Sequence, residues 1–154
     1  MIEKTDKRKR LWIILLILNL AVIWGNSLLP GELSGNFSRW VKSILDALLP
    51  GTGKDPEAGH GLLRKFGHFF EFCCLGICLS VLIRMQKENQ WQQLLLPLLL
   101  GGSAACIDET IQIFVPDRGP GIRDVGIDTM GVATGILILT FALHLRKRKN
   151  KGVL

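Results

Sequence analysis

The chain has 154 residues, of which 48% are hydrophobic and 21% are charged, and its formal net charge is +6. These totals are typical of a basic soluble domain of ordinary size, but the placement of the charges is not. Residues 11–29, 94–107 and 132–143 contain no charged side chain. The charges crowd into the two ends and the connections between apolar blocks. This placement excludes a nucleic-acid-binding domain with an even basic surface, a disulfide scaffold and a disordered tail.

Four apolar segments have the length of membrane spans, at about residues 11–28, 66–83, 91–115 and 125–145. A helix needs about 20 mainly apolar residues to cross a hydrocarbon core of about 30 Å. The first segment is too long for a signal peptide, and no small-x-small cleavage site follows it closely. A soluble bundle is excluded because a chain of this size cannot bury several helices that are apolar on all sides. We therefore predict an all-α integral membrane protein with four transmembrane helices, forming a single domain over residues 1–154.

Basic residues flank the first and last spans and predict the orientation. Five precede the first span and five follow the fourth: Lys4, Lys7, Arg8, Lys9, Arg10, Arg146, Lys147, Arg148, Lys149 and Lys151. Because cytoplasmic flanks carry an excess of Lys and Arg, we expect a multi-pass protein of the cell membrane with both termini in the cytoplasm. Residues 30–65 and 116–124 then face outward.

The first outward segment carries a helical pattern of its own at about residues 36–49. Its apolar residues recur at i, i+3, i+4, i+7, i+8 and i+11 and form one stripe, Phe37, Trp40, Val41, Ile44, Leu45 and Leu48. Polar residues such as Arg39 and Asp46 take the other face. We predict an amphipathic helix here, which lies in the outer-leaflet interface or packs across the mouth of the bundle.

Ionisable residues inside the spans indicate a functional site, because each costs about 2.5–3.5 kcal/mol at a helix centre unless it pairs or faces water. In the predicted orientation, Glu71, Glu109 and Asp128 lie about 8, 9 and 5 Å from the outer ends of their spans. Three segments thus place acids in one layer. Five acids, Asp108 among them, face four bases and His68, which allows near-neutral pairing. The candidate ligand-binding residues of this layer are Lys65, His68, Glu71, Glu109, Gln112, Arg118, Arg123, Asp124 and Asp128.

The acids and the histidine leave two chemical interpretations open. His68, Glu71, Glu109 and Asp128 resemble a carboxylate-bridged metal geometry in reverse order. A single histidine and the lack of a twin motif on another helix count against a metal, so neither a metal nor a cofactor is predicted. Glu71 or Glu109, with His68 as its partner, would instead suit general acid–base catalysis.

The basic residues of the layer add two further interpretations. Lys65, Arg118 and Arg123 would suit recognition of a phosphate or carboxylate, with the acids orienting them. An ion-paired network that only fixes the helices would use the same residue types. In the fourth span, the Gly131-x-x-x-Gly135 spacing predicts close approach of another helix rather than a ligand site.

Several motifs in the spans share their order and spacing with one family. They are Arg64-Lys65-Phe66-Gly67-His68-Phe69-Phe70-Glu71-Phe72 followed by Leu75-Gly76, Glu109-Thr110-Ile111-Gln112-Ile113-Phe114-Val115-Pro116-Asp117-Arg118, and Asp124-x3-Asp128-x2-Gly131-x3-Gly135. Ser27-Leu28-Leu29-Pro30, after the first span, matches an early Ser-x-x-Pro feature. In these residues the chain resembles the VanZ-like membrane proteins, from the first span to the fourth.

The resemblance implies a small multi-helix membrane protein whose named activity is low-level resistance to glycopeptide antibiotics, teicoplanin above all. The functional positions that it implies are Lys65, His68, Glu109, Gln112, Arg118 and Asp124. Glu71 stands where the family often has an aromatic residue, and Asp128 where it often has Asn, so this site is more acidic than that of a typical member. The family name describes a phenotype, and no reaction comes with it.

Two classes of function follow. We favour a non-enzymatic membrane protein that binds or shields a lipid-linked cell-wall precursor, or the glycopeptide itself, at the outer leaflet. The alternative is an intramembrane enzyme that modifies a lipid-linked cell-wall substrate, with His68, Glu71 and Glu109 as candidate catalytic residues. Transport is less favoured because four spans form too small a pore for a large glycopeptide unless the protein forms a homo-oligomer. The expected partners are membrane lipid and one of these two ligands, with no nucleic acid, and homo-oligomerisation stays open.

Overall fold

A computed structural model describes residues 2–31, 56–86, 89–119 and 121–151, and every regular element in these ranges is a helix. The four helices are α1 (Ile2–Leu28), α2 (Pro56–Met85), α3 (Gln90–Ile113) and α4 (Ile122–Lys151). Each is long and apolar enough to cross a membrane. The prediction of an all-α membrane protein with four spanning helices is therefore confirmed. The amphipathic helix predicted at about residues 36–49 lies outside the described residues.

The helices differ from the predicted spans mainly at their ends. Helix α1 begins at Ile2 and α4 continues to Lys151, so both run on through the basic flanks. Lys and Arg are good helix formers, whereas the prediction located only the apolar stretch. Helix α3 ends at Ile113, two residues before the predicted end of its span. Pro116 follows, and a proline cannot continue the hydrogen-bonding pattern of a helix.

Hydrogen bonds between helices show that neighbouring helices run in opposite directions. At one end of the bundle, Ser27 in the last turn of α1 accepts a hydrogen bond from Gln112 in the last turn of α3. At the other end, Arg84 near the end of α2 donates hydrogen bonds to Gln93 in the first turn of α3 (3.0 Å) and to Thr140 of α4 (2.7 Å). We call these the polar end and the basic end. The chain thus crosses the bundle four times, in alternating directions.

Helix α2 lies at the centre of the bundle. Half of its apolar span is buried, against 11% of the α1 span. Phe72 and Leu75 of α2 pack with Ile23 of α1 and Val132 of α4 in the hydrophobic core. The outward faces of the other helices are apolar as well, and Ile17, Leu99, Leu137 and Phe141 are among their exposed side chains. An apolar exterior of this extent is the surface that lipid covers in a membrane protein.

Glycines allow α2 and α4 to pack backbone against backbone. A Cβ atom on Gly131 would lie 2.5 Å from the carbonyl oxygen of Phe69, and one on Gly135 would collide with the carbonyl of Cys73. Gly76 of α2 faces the backbone of Val132 in the same way. The close approach predicted from the G-x-x-x-G spacing is confirmed, since only residues without a side chain fit this contact.

Candidate functional site

The polar end of the bundle collects buried ionisable and amide side chains from all four helices. Asn26 and Ser27 come from the last turn of α1, and His68 and Glu71 from α2. The other members are Asp108, Glu109 and Gln112 from α3 and Asp124 and Asp128 from α4. Ser27, Asp108, Glu109, Gln112 and Asp128 are buried. Such groups persist in a membrane only when they contact one another or water.

His68 faces two carboxylates. Its Nδ1 atom lies 3.8 Å from Oε2 of Glu71 and 3.9 Å from Oδ2 of Asp108. These distances exceed the range of a hydrogen bond, and Nδ1 is buried without a hydrogen-bond partner among the described residues. The imidazole therefore lies between two carboxylates without a hydrogen bond from Nδ1 to either of them.

Two asparagines of α1 hold the middle of α2 at Glu71. Asn26 donates a hydrogen bond of 2.6 Å from Nδ2 to Oε1 of the Glu71 side chain. Asn19, about two turns earlier, donates from Nδ2 to the backbone oxygen of the same residue at 3.3 Å. Only the first contact depends on the Glu71 side chain, so Asn26 is the residue of α1 that positions this acid.

Gln112 connects α3 to α1 and links two neighbouring acids. Its Nε2 atom contacts Oδ2 of Asp108 at 3.0 Å, Oε1 of Glu109 at 3.2 Å and Oγ of Ser27 at 3.4 Å. Glu109 accepts a second hydrogen bond of 2.8 Å through Oε2, from the backbone N–H of Gly121. Glu109 is thereby fixed at both oxygens, and it also anchors the start of α4.

The rim of the layer contains one strong ion pair. Nζ of Lys65 lies 2.5 Å from Oδ1 of Asp124, and the Lys65 side chain is 41% exposed. Arg123 is exposed. Among the described residues, this pair is the one direct contact between a Lys or Arg and an acid of the layer. The near-neutral pairing allowed by the sequence is therefore not what the structure shows.

Arg118 binds backbone rather than acids. Its Nη2 atom donates to the carbonyl oxygen of Asn26 at 2.5 Å, and its Nε atom donates to that of Leu29 at 3.1 Å. Burial, reinforced by the nearby charge of Arg64, lowers the pKa of Arg118 from its usual value, while Asp108 and Glu109 act in the opposite direction. An arginine remains charged after such a shift. Arg118 thus holds the end of α1 against the connection between α3 and α4.

A small cavity opens among these side chains. Its lining residues are Arg64, Lys65, His68, Glu109, Gln112, Asp124, Ile127 and Asp128. Its volume of about 10 Å³ is close to the minimum that holds one water molecule. The cavity therefore has room for a water molecule or a single ion, and not for a sugar or a peptide.

The structure brings together most of the residues predicted for the site. Lys65, His68, Glu109, Gln112, Asp124 and Asp128 line the cavity. Glu71 lies beside it, next to His68. Arg118 binds the end of α1, and Arg123 is exposed and does not line the cavity.

Four polar residues of the site are missing from the predicted set, and one of them, Arg64, lines the cavity. Asp108 is fully buried at the centre of the site. The sequence placed it among the five acids of the layer but not among the candidate ligand-binding residues. Its i, i+4 spacing to Gln112 is the sequence signal for it. Ser27 belongs to the Ser-x-x-Pro feature, which gave a weaker signal. For Asn26, the sequence signal is only that it is a polar residue at the end of an apolar span.

The fold and the site together define a multi-pass membrane protein with a polar site at one end of its helix bundle. A family model described as VanZ/LLP1 matches residues 11–143, which is most of the chain. The protein therefore belongs to the VanZ/LLP1 family, and the resemblance seen in its motifs is confirmed. Neither a curated protein nor a solved structure matches the chain.

Proposed function

We propose that this VanZ/LLP1-family protein confers low-level resistance to glycopeptide antibiotics such as teicoplanin by binding a lipid-linked cell-wall precursor at the outer leaflet of the cell membrane. The observation that carries the proposal is the mouth of the cavity at the polar end. Arg64 and Lys65 both line it. Lys65 is already paired with Asp124, whereas the described residues give Arg64 no ion pair. An arginine in this position suits a phosphate group, which it binds through paired N–H donors.

The volume of the cavity favours binding at its mouth over enclosure of the ligand. About 10 Å³ cannot accommodate a saccharide. The anionic group would therefore contact Arg64 and Lys65 while the rest of the headgroup stays outside the bundle. A precursor held in this way is less accessible to a glycopeptide, which explains resistance without a chemical step.

Exposed aromatic residues next to the mouth suit the lipid part of such a ligand. Phe66 and Phe70 follow Lys65 on α2 and are 61% and 68% exposed. They are four residues apart and share one face of the helix. A hydrocarbon chain lying along this face would place its phosphate at the level of Arg64 and Lys65.

The distribution of basic residues supports an outward-facing site. Ten of the 19 Lys and Arg residues occur in the two terminal segments, at the end of the bundle opposite the site. By the excess of such residues on cytoplasmic flanks, both termini would be cytoplasmic and the site would face the outer leaflet. A test uses a variant in which the four native cysteines are replaced and one cysteine is introduced, either at Lys147 or at Pro116. In intact cells, only the cysteine at position 116 should react with an impermeant reagent.

A binding assay with a matched pair of variants tests the proposal. The purified protein in nanodiscs would be titrated with the lipid-linked precursor and, in a separate arm, with teicoplanin. Arg64→Gln removes a charge at the mouth and should weaken precursor binding about tenfold or more. Arg123→Gln removes the same charge from an exposed position and should change it less than twofold.

The two variants should affect resistance in the same order as they affect precursor binding. In a susceptible host at equal expression, Arg64→Gln should lower the inhibitory concentration of teicoplanin toward that of the empty vector, and Arg123→Gln should not. If the wild-type protein binds teicoplanin and not the precursor, the drug is the ligand and our choice of ligand is wrong. If it binds neither, the binding proposal as a whole is refuted.

The position of His68 between Glu71 and Asp108 favours an intramembrane enzyme as the second candidate. An imidazole between carboxylates is a common acid–base arrangement. Glu109→Gln separates the two functions because it removes the acid while it keeps the shape of the side chain and one oxygen that can accept the hydrogen bond from Gly121. An enzyme that uses Glu109 would lose resistance while precursor binding is retained. A binding protein would keep resistance as long as it keeps its affinity.

A further inference from the structure

His68, Asp108 and Asp128 converge from three helices on one point. Each offers a ligand atom, and these atoms all lie within 4.8 Å of one another. Asp108 and Asp128 are buried, with exposed fractions of 0% and 2%. A histidine nitrogen and two carboxylate oxygens are a donor set that binds divalent transition metals.

One of these carboxylates lacks the partner that a buried charge requires. Oδ2 of Asp108 accepts the hydrogen bond from Gln112, but Oδ1 is buried with no hydrogen-bond partner among the described residues. Among the described residues, the base nearest to the Asp108 carboxylate is His68, at 3.9 Å. The charge of Arg118 also acts on Asp108, but its hydrogen bonds go to backbone carbonyls instead. A fully buried carboxylate is unfavourable unless a cation compensates it. The orphaned oxygen therefore points to a bound cation.

Further polar groups surround these three residues. Oε2 of Glu71 is also buried without a partner and lies 3.8 Å from Nδ1 of His68. Gln112 fixes the Asp108 carboxylate by a hydrogen bond to Oδ2, as outer residues commonly do for metal-binding carboxylates. The cavity of about 10 Å³ beside His68 and Asp128 has room for one ion with a water ligand.

We propose that His68, Asp108 and Asp128 bind one divalent metal ion, and that this ion is Zn²⁺. The imidazole nitrogen favours zinc over Mg²⁺ and Ca²⁺, which prefer oxygen ligands alone. Three protein ligands plus water is the usual set for an open zinc site. Ligands at about 2.0–2.2 Å from one ion lie roughly 3.4 Å apart in a tetrahedron. The ligand atoms here lie within 4.8 Å of one another, so the three side chains need to approach one another by up to about 1.4 Å. The proposal does not rest on the binding function proposed above.

Metal analysis of the purified full-length protein tests this site directly. The protein, freed of any polyhistidine tag, would be incubated with equimolar Zn²⁺, Mn²⁺ and Mg²⁺, dialysed, and analysed by mass spectrometry of its metals. The wild-type protein should retain about one zinc ion per chain. Replacing zinc with Co²⁺ should give the visible absorption of a four-coordinate ion with mixed N and O ligands.

Single Asp→Asn substitutions distinguish a metal site from a cluster of acids that binds no metal. Asp108→Asn and Asp128→Asn should each weaken zinc binding by about 100-fold or more, since loss of a residue that only hydrogen-bonds to a metal ligand already costs about 10–100-fold. The matched control is Asp124→Asn, which lies in the same layer but pairs with Lys65 and should leave zinc binding unchanged. Zinc should raise the unfolding temperature of the wild type and of Asp124→Asn, and not that of Asp108→Asn.

Several results would overturn the proposal. Wild-type protein that retains no metal in stoichiometric amount refutes the site. Retention of Mg²⁺ in preference to zinc refutes the identity of the ion. Asp108→Asn that folds and binds zinc as tightly as the wild type refutes the ligand set. If Asp108→Asn does not fold, Asp128→Asn and the Co²⁺ spectrum of the wild type decide the question.

Discussion

Arg118 holds Asn26 by donating a hydrogen bond of 2.5 Å from Nη2 to its backbone carbonyl oxygen. A second bond of 3.1 Å runs from Nε to the carbonyl of Leu29. The last four carbonyls of a helix have no partner within the helix, and Asn26 belongs to the last turn of α1. Arg118 therefore acts as a cap for α1, supplied by the connection between α3 and α4.

Arg118→Gln should destabilise the protein because it removes both donors and the charge from this cap. We expect a loss of about 1–3 kcal/mol in the free energy of unfolding, measured by denaturation in mixed micelles. Arg118→Lys should not restore the wild-type value, since one ammonium does not reproduce the fork of a guanidinium. Arg123→Gln serves as the control and should stay within about 0.5 kcal/mol. Equal stability of the Arg118 and Arg123 variants would contradict the capping role.

The fold follows from the sequence because its signals are local. Predominantly apolar segments of 18 to 25 residues, which are about long enough for a helix to cross the membrane, leave few structures other than spanning helices. The contact between α2 and α4 is likewise encoded locally, since Gly131 and Gly135 have the spacing that exposes a helix backbone. These features need no knowledge of which helices are neighbours.

The pairing of charges inside the site is not local, and the sequence does not determine it. Depth along a helix places Asp108, Glu109 and Asp128 in one layer, but it does not say which way each side chain points. Neighbours such as Asp108 and Glu109 differ by about 100° around the helix axis. Arg118 binds carbonyls instead of acids because the α3–α4 connection passes the end of α1. That contact appears only once the bundle is assembled.

Asn26 and Glu71 should be energetically coupled. The hydrogen bond between Nδ2 and Oε1 measures 2.6 Å, and a bond to a carboxylate in a low-dielectric site contributes about 1.5–3 kcal/mol. A double-mutant cycle with Asn26→Leu and Glu71→Leu should therefore give a coupling energy of about 1–3 kcal/mol.

The control for this cycle uses the other asparagine of α1. Asn19 donates to the backbone oxygen of Glu71, a bond that Glu71→Leu does not remove. The cycle of Asn19→Leu with Glu71→Leu should thus give a coupling energy within about 0.5 kcal/mol of zero. A larger coupling at Asn19 than at Asn26 would show that α1 and α2 are not held in the way described.

Gly135→Ala should destabilise the contact between α2 and α4. The added methyl group would collide with the carbonyl of Cys73, and overpacking of this kind costs about 1–3 kcal/mol. Gly126 is on the same helix with nothing within 4 Å of its added Cβ. Gly126→Ala should therefore be neutral or stabilising by up to about 1 kcal/mol, because alanine is the better helix former. Unfolding of both variants in mixed micelles measures the difference, and a stabilising Gly135→Ala would contradict the close packing.

Gln112→Glu should be the most destabilising of these substitutions. It replaces the donor shared by Asp108, Glu109 and Ser27 with a further acid. The like charges would be left buried without compensation, at a cost of about 3–5 kcal/mol. Gln112→Met removes the donor without adding charge and should cost less, about 1–3 kcal/mol.

The matched control is the same chemical change at Gln92, where the side chain accepts a hydrogen bond from the backbone of Asn89 at the start of α3. Glutamate serves equally well in this capping arrangement, so Gln92→Glu should stay within about 0.5 kcal/mol of the wild type. Gln112→Glu with wild-type stability would show that Asp108 and Glu109 do not depend on the Gln112 donor. A loss that is equally large for Gln112→Met would assign the effect to the missing hydrogen bonds rather than to the added charge.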